Sequence, residues 1–105
     1  MTRGECLESA RRAVSGQRVQ DYGTPEDSFN RIAALWSAYI GRHFDAHEVA
    51  MMMALMKVAR IQGGIGTDDS YVDLAGYAAC AAEIKAAEAA VKKGNASQTG
   101  TRPLR

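Results

Sequence analysis

The stretch from Asp45 to Asp73, DAHEVAMMMALMKVARIQGGIGTDDSYVD, holds two helix starts and one hinge. Asp45 with Glu48 three residues later forms a variant capping box, so a helix starts here. The run behind it, VAMMMALMKVARI, is apolar around much of its circumference and predicts a central helix contacted from several sides. Within it Met51, Met52, Met53 and Met56 have the flexible shape that fills gaps in a core, an adaptable binding groove being their other use. Lys57 and Arg60 arrive near the C-terminal end, where cations interact favourably with the helix dipole. Gly63-Gly64-Ile65-Gly66 then stops the helix, and Thr67-Asp68-Asp69-Ser70 supplies the cap of the next. A short glycine loop between two helices predicts an antiparallel hairpin whose basic end meets an acidic beginning.

Working upstream, Thr24-Pro25-Glu26-Asp27 is a helix start with a capping hydroxyl, proline in the first helical position and acids in the first turn. From it Phe29, Ile32, Ala33, Trp36, Tyr39 and Ile40 recur at the spacing of a stripe facing a core, and Gly41 ends the helix. A shorter, weakly apolar helix is predicted over Arg3 to Ser15. Downstream, a long helix is predicted from about Ser70 to Lys93, broken by Gly94. Nine of the sixteen residues from Ala75 to Ala90 are alanine. That composition predicts tight packing of the Ala75, Ala78, Ala79, Ala82 and Ala86 face against a partner helix, in this chain or in another subunit.

With no alternating segment long enough for a strand, the reading is an all-α, compact four-helix bundle. Residues 1–94 form its single domain, residues 95–105 a disordered tail. A chain of 105 residues has room for one core, and association is an economical addition at this size, so a homo-oligomer is expected.

Thirteen Lys and Arg against twelve Asp and Glu give a net charge of +1, with the signs interleaved, which disfavours duplex nucleic acid as a partner. Cys6 and Cys80 have no CxxC spacing and suit a reducing compartment. The longest apolar run, Val49 to Met56, is far below the roughly 20 residues of a membrane span, and no signal-peptide apolar region opens the chain. A soluble, cytoplasmic protein without membrane contact is expected.

The densest polar constellation lies at the hairpin. Lys57 and Arg60 are three apart; Asp69 and Asp73 are four apart, a spacing that can aim two carboxylates at one cation. One reading is a phosphate and divalent-metal site, with Asp69 and Asp73 holding Mg²⁺, Lys57 and Arg60 neutralising phosphate, and Glu26 or Glu48 completing the ligand set. The other is a salt-bridge network pinning the hairpin, in which Asp73 couples to Arg60. Glu26 and Glu48 are also accounted for as first-turn residues. Trp36, Tyr39 and Tyr77 can stack a base or belong to the core; Tyr22, in the polar connector DYG, can fold over a pocket or an interface. His43 and His47 are separated by the Asp45 cap, and the glycine loop lacks the Lys-Ser/Thr of a P-loop.

At DYGTPEDSFNRIAALWSAYIG, VAMMMALMKVARI and DDSYVDLAGYAACAAEI the chain resembles a family of small tailed-phage and prophage proteins defined as a domain of unknown function. The resemblance covers roughly Gln17 to Ile84 and implies a phage-encoded protein acting in the bacterial cytoplasm. More distantly, DYG followed by K-x-x-R and D-x-x-x-D-x-x-x-Y is similar to the all-α nucleotide pyrophosphohydrolases of the MazG type. That family carries an ExxE block and a later ExxD block whose carboxylates bind Mg²⁺. Here Glu26 is followed three residues later by Phe29, so the first block lacks its second acid, and Asp69-Ser70-Tyr71-Val72-Asp73 replaces the second. The likeness implies a nucleotide-binding or nucleotide-processing protein with a reduced site, carried by Asp69 and Asp73. The rival expectation is a non-catalytic, oligomeric interaction protein that modulates a host or phage factor.

Overall fold

The computed structural model describes residues 1–16, 20, 21, 23–64 and 67–95. They form four α-helices: α1 (Arg3–Ala13), α2 (Pro25–Ile40), α3 (Ala46–Gln62) and α4 (Asp68–Asn95), with no strand among the described residues.

Each of the first three helices is opened by a side chain that satisfies an orphan backbone N–H. The Thr2 hydroxyl accepts from the Glu5 amide at 3.1 Å and the Thr2 amide donates to Glu5 Oε1 at 2.7 Å, a capping box that the sequence reading passed over. Thr24 Oγ1 accepts from Asp27 at 3.2 Å, ahead of Pro25. The Asp45–Glu48 box closes at 2.8 and 3.1 Å. At the end of α2, Gly41 takes the left-handed conformation (φ 81°) and its N–H donates to the Ser37 carbonyl at 2.9 Å. The Ser37 hydroxyl in turn accepts from the Phe44 amide at 2.8 Å, fixing the sharp turn into α3.

The long axis of the fold is the α3–α4 pair; α1 packs on α4 and α2 on α3, while α2 and α4 meet only briefly. The core joins Phe29 and Ala33 of α2, Ala46, Val49 and Ala50 of α3, and Cys80, Ala81 and Ile84 of α4. Aromatic edges finish it: Phe29 lies 6.0 Å from Tyr77, and Trp36 meets Phe44 edge-on at 6.3 Å. Gly76 lets α1 close in, since a Cβ there would sit 3.3 Å from Val14 Cγ1.

Several expectations are corrected. The alanine face is not a packing seam within the chain: Ala78, Ala79, Ala82 and Ala86 are exposed. The buried row on α4 is instead Val72, Gly76 and Cys80, continued by Ala81 and Ile84, the side against which α1, α2 and α3 pack. α3 is covered mainly by α2 and α4, so Met51, Met52, Leu55, Met56 and Val58 stay exposed; of the four methionines, Met53 packs on the core. The α2 stripe holds from Phe29 to Trp36 but ends there, with Tyr39 89% exposed. α4 begins at Asp68, two residues before the expected Ser70, and passes through Gly94 instead of breaking there. Of the expected tail, Asn95 is the last helical residue and 96–105 lie outside the described residues.

Candidate functional site

The hairpin places α3's C-terminal end beside the start of α4. Lys57 Nζ lies 3.0 Å from Asp73 Oδ2, the Lys57 side chain being 15% exposed and that of Asp73 41%. The lysine stem is covered by the two helices while its ammonium reaches the rim. Arg60 is exposed and makes no ion pair with a described residue; Asp69, at the second position of α4, is exposed as well. Its neighbour Asp68 faces the N-terminal ammonium of Met1 at 3.7 Å. Of the two cations and two acids expected together, the fold joins Lys57 and Asp73 and leaves Arg60 and Asp69 at its edge.

Glu48 is at the other end of α3. It receives the Asp45 amide and pairs with Arg42 at 3.0 Å. The Arg42 hydrogen bond, with that backbone donor second, holds its carboxyl below the usual range. Arg42 also stacks over Phe44, 4.5 Å from the ring centre.

Glu26 faces α4, where its carboxyl meets that of Glu83. The hydrogen bond between them, then the charge of Glu26, raises the Glu83 pKa above its ordinary value. One oxygen of Glu26 is buried with no hydrogen-bond partner. Cys80, one turn before Glu83, is buried, and desolvation with both glutamate charges pushes its thiol up to about 11. The Glu26–Glu83 contact escaped the sequence reading, since the two residues lie on helices that are not consecutive.

Two hollows flank these groups. A cleft of about 440 Å³ between α2, the α2–α3 turn and α4 is lined by Glu26, Asn30, His43, Asp45, Glu88 and Val91. A second of about 330 Å³ is mainly apolar, walled by Val14, Phe29, Ile32, Met53 and Tyr77, with Asp73 at its edge. Tyr77 is thus a wall residue tilted on Phe29, Trp36 is half-buried against Phe44, and Tyr22 lies outside the described residues. No group of three or more His, Cys, Asp or Glu side chains that could hold a metal ion occurs among the described residues.

An all-α chain with a pinned α3–α4 hairpin and a pair of carboxyls between α2 and α4 is the class the geometry defines. Residues 5–85 match the family model described as a domain of unknown function, DUF6378, and the chain belongs to that family. It is similar to the Gene 55 protein of Mycobacterium phage D29, 42% identical over 78 residues, which cover 74% of this chain and 52% of that protein. It is also similar to the Gene 55 protein of Mycobacterium phage L5, 45% identical over 73 residues, covering 69% and 47% respectively. The chain therefore spans about half the length of these curated relatives. No solved structure matches. Among the described residues no helix is long and apolar enough to cross a membrane.

Proposed function

We propose that this chain is a non-catalytic helical interaction module, oligomeric in solution, that modulates a phage or host factor in the bacterial cytoplasm. The observation that carries this reading is the Lys57–Asp73 ion pair at 3.0 Å. An acid already neutralised by a lysine is a poor Mg²⁺ ligand, and a hydrolytic site needs carboxylates converging on one open position. Here Asp73 is held by Lys57 and Glu48 by Arg42 and its own cap. The side chains left open to partners are the apolar ones of α2 and α3. The test is to titrate the chain with a panel of nucleoside triphosphates and Mg²⁺ and assay for pyrophosphate. No heat of binding and no product are expected; release of pyrophosphate would sink the reading.

A second reading, a nucleotide-binding relative of the MazG-type pyrophosphohydrolases, is favoured by exposed Arg60 and Asp69 on either side of the glycine loop. In it Lys57 and Arg60 bind phosphate, Tyr22, Trp36 or Tyr77 stacks the base, and Asp69 with Asp73 are the candidate Mg²⁺ ligands, Glu26 or Glu48 supplying a further acid. The residues fit the metal poorly, because Lys57 would first have to leave Asp73 and no third carboxylate stands beside them among the described residues.

A further inference from the structure

The interior of this fold is built mainly from small side chains: among the described residues, of the buried apolar ones only Phe29, Val49, Val72 and Ile84 are larger than alanine or cysteine. More large apolar side chains lie outside than inside. They are not scattered. On α3, Met51, Met52 and Leu55 share the surface turned away from Ala50 and Ala54, Met56 borders them on the Val49 side, and the Glu48–Arg42 ion pair lies at their N-terminal edge. On α2, Leu35 and Tyr39 continue the row of Ile32, on the flank turned away from the α4 cleft that Asn30, Ala33 and Ala34 line. Ile32 and Met53 wall one cavity, which sets that row beside α3. With exposures of 40% to 89%, these six side chains present on the order of 700 Å² of surface, close to the roughly 800 Å² that each partner gives to a standard interface. A patch of this size is more than a soluble monomer ordinarily leaves in water.

We infer that the exposed face of α3, flanked by Leu35 and Tyr39 of α2, is the seat of a second copy of this chain, packed with its α3 antiparallel about a twofold axis at Leu55. This deepens the interaction reading above and rests on it. A twofold axis demands a surface complementary to itself, and the α3 sequence supplies one. Antiparallel pairing about Leu55 sets Met51 opposite Ala59 and Met52 opposite Val58, so each long, adaptable side chain meets a shorter one. It also sets the two α3 helix dipoles head to tail. The parallel alternative would align the two helix dipoles. Helix dipoles and side-chain size therefore favour a second copy in the antiparallel orientation.

Sedimentation equilibrium of the full chain tests this. A dimer is expected at micromolar concentration. Leu55→Glu should raise its dissociation constant about 30-fold or more, the loss typical of a central interface residue. Because Leu55 is 64% exposed, the variant should keep its helical circular dichroism. Ala82→Glu, on the exposed face of α4, should leave the dimer unchanged. In a Cys6→Ser, Cys80→Ala background, Leu55→Cys should cross-link to its own symmetry mate on mild oxidation and Ala82→Cys should not. A chain that stays monomeric, with a different protein on this face, overturns the inference. So does a dimer indifferent to Leu55→Glu. Pyrophosphate release by a dimer that Leu55→Glu dissociates would end the non-catalytic reading and leave this interface standing.

Discussion

Lys57, one turn from the end of α3, and Asp73, in the second turn of α4, are paired at 3.0 Å across the glycine loop. The contact ties the hairpin at its loop end, where Gly64 (φ 75°) contributes backbone freedom and no side-chain packing. The pair is therefore a structural fastener in the leading reading and a phosphate site under lock in the other.

If it is a fastener, a double-mutant cycle of Lys57→Met and Asp73→Ala should show a coupling of about 0.5–1 kcal/mol, the upper range for a partly exposed pair. Asp73→Ala combined with Arg60→Ala should be additive, contrary to the partnership that spacing alone suggested. Urea unfolding of the four variants in each cycle gives both numbers.

The Glu26–Glu83 pair sets a pH dependence of the opposite sign to the ordinary carboxylate. Glu83 holds its proton more tightly folded than unfolded, so its contribution to stability declines as pH rises from 4.5 through the raised folded value. Glu83→Gln keeps a donor for Glu26 and removes the repulsion. Thermal melts should show the variant more stable than the parent at pH 7, with the advantage gone near pH 4. Glu48, lowered by Arg42, acts in the other sense and loses its contribution as pH falls through its depressed pKa, so the comparison must be of the difference between variant and parent. An equal gain at both pH values would mean that the raised Glu83 pKa does not set this dependence.

Thiol chemistry should separate the two cysteines. Cys80 is buried with its thiol raised to about 11, whereas Cys6 on α1 is partly exposed. Titration of the native chain with a disulfide reagent at pH 8 should release one fast equivalent, and the second only on unfolding. Two fast equivalents would mean that the α2–α4 contact opens readily.

The Asp45 cap carries more than one helix end, because it also positions Glu48 for Arg42. Asp45→Ala should cost about 1–2 kcal/mol and Thr24→Ala, a simple cap, about 1 kcal/mol, both read from urea midpoints.

The helix starts at Thr24 and Asp45, the stop at Gly41 and the Lys57–Asp73 neighbourhood were all legible along the chain, because each depends on residues within a few positions or on one short loop. The Glu26–Glu83 contact was not, since the two acids are brought together by the packing of α2 against α4, and no local pattern records that angle.

What the residues by themselves determined is the number of helices, where the first three begin, and the hairpin that joins the last two: caps, prolines and glycines act on the backbone beside them. What the tertiary structure decided is which side of each helix turns inward. α3 is apolar on nearly every side and α4 is rich in alanine, so their periodicity expresses a weak preference. The choice then fell to the summed burial of Phe29, Val49, Val72 and Ile84, which left Leu55 and the alanine row facing out.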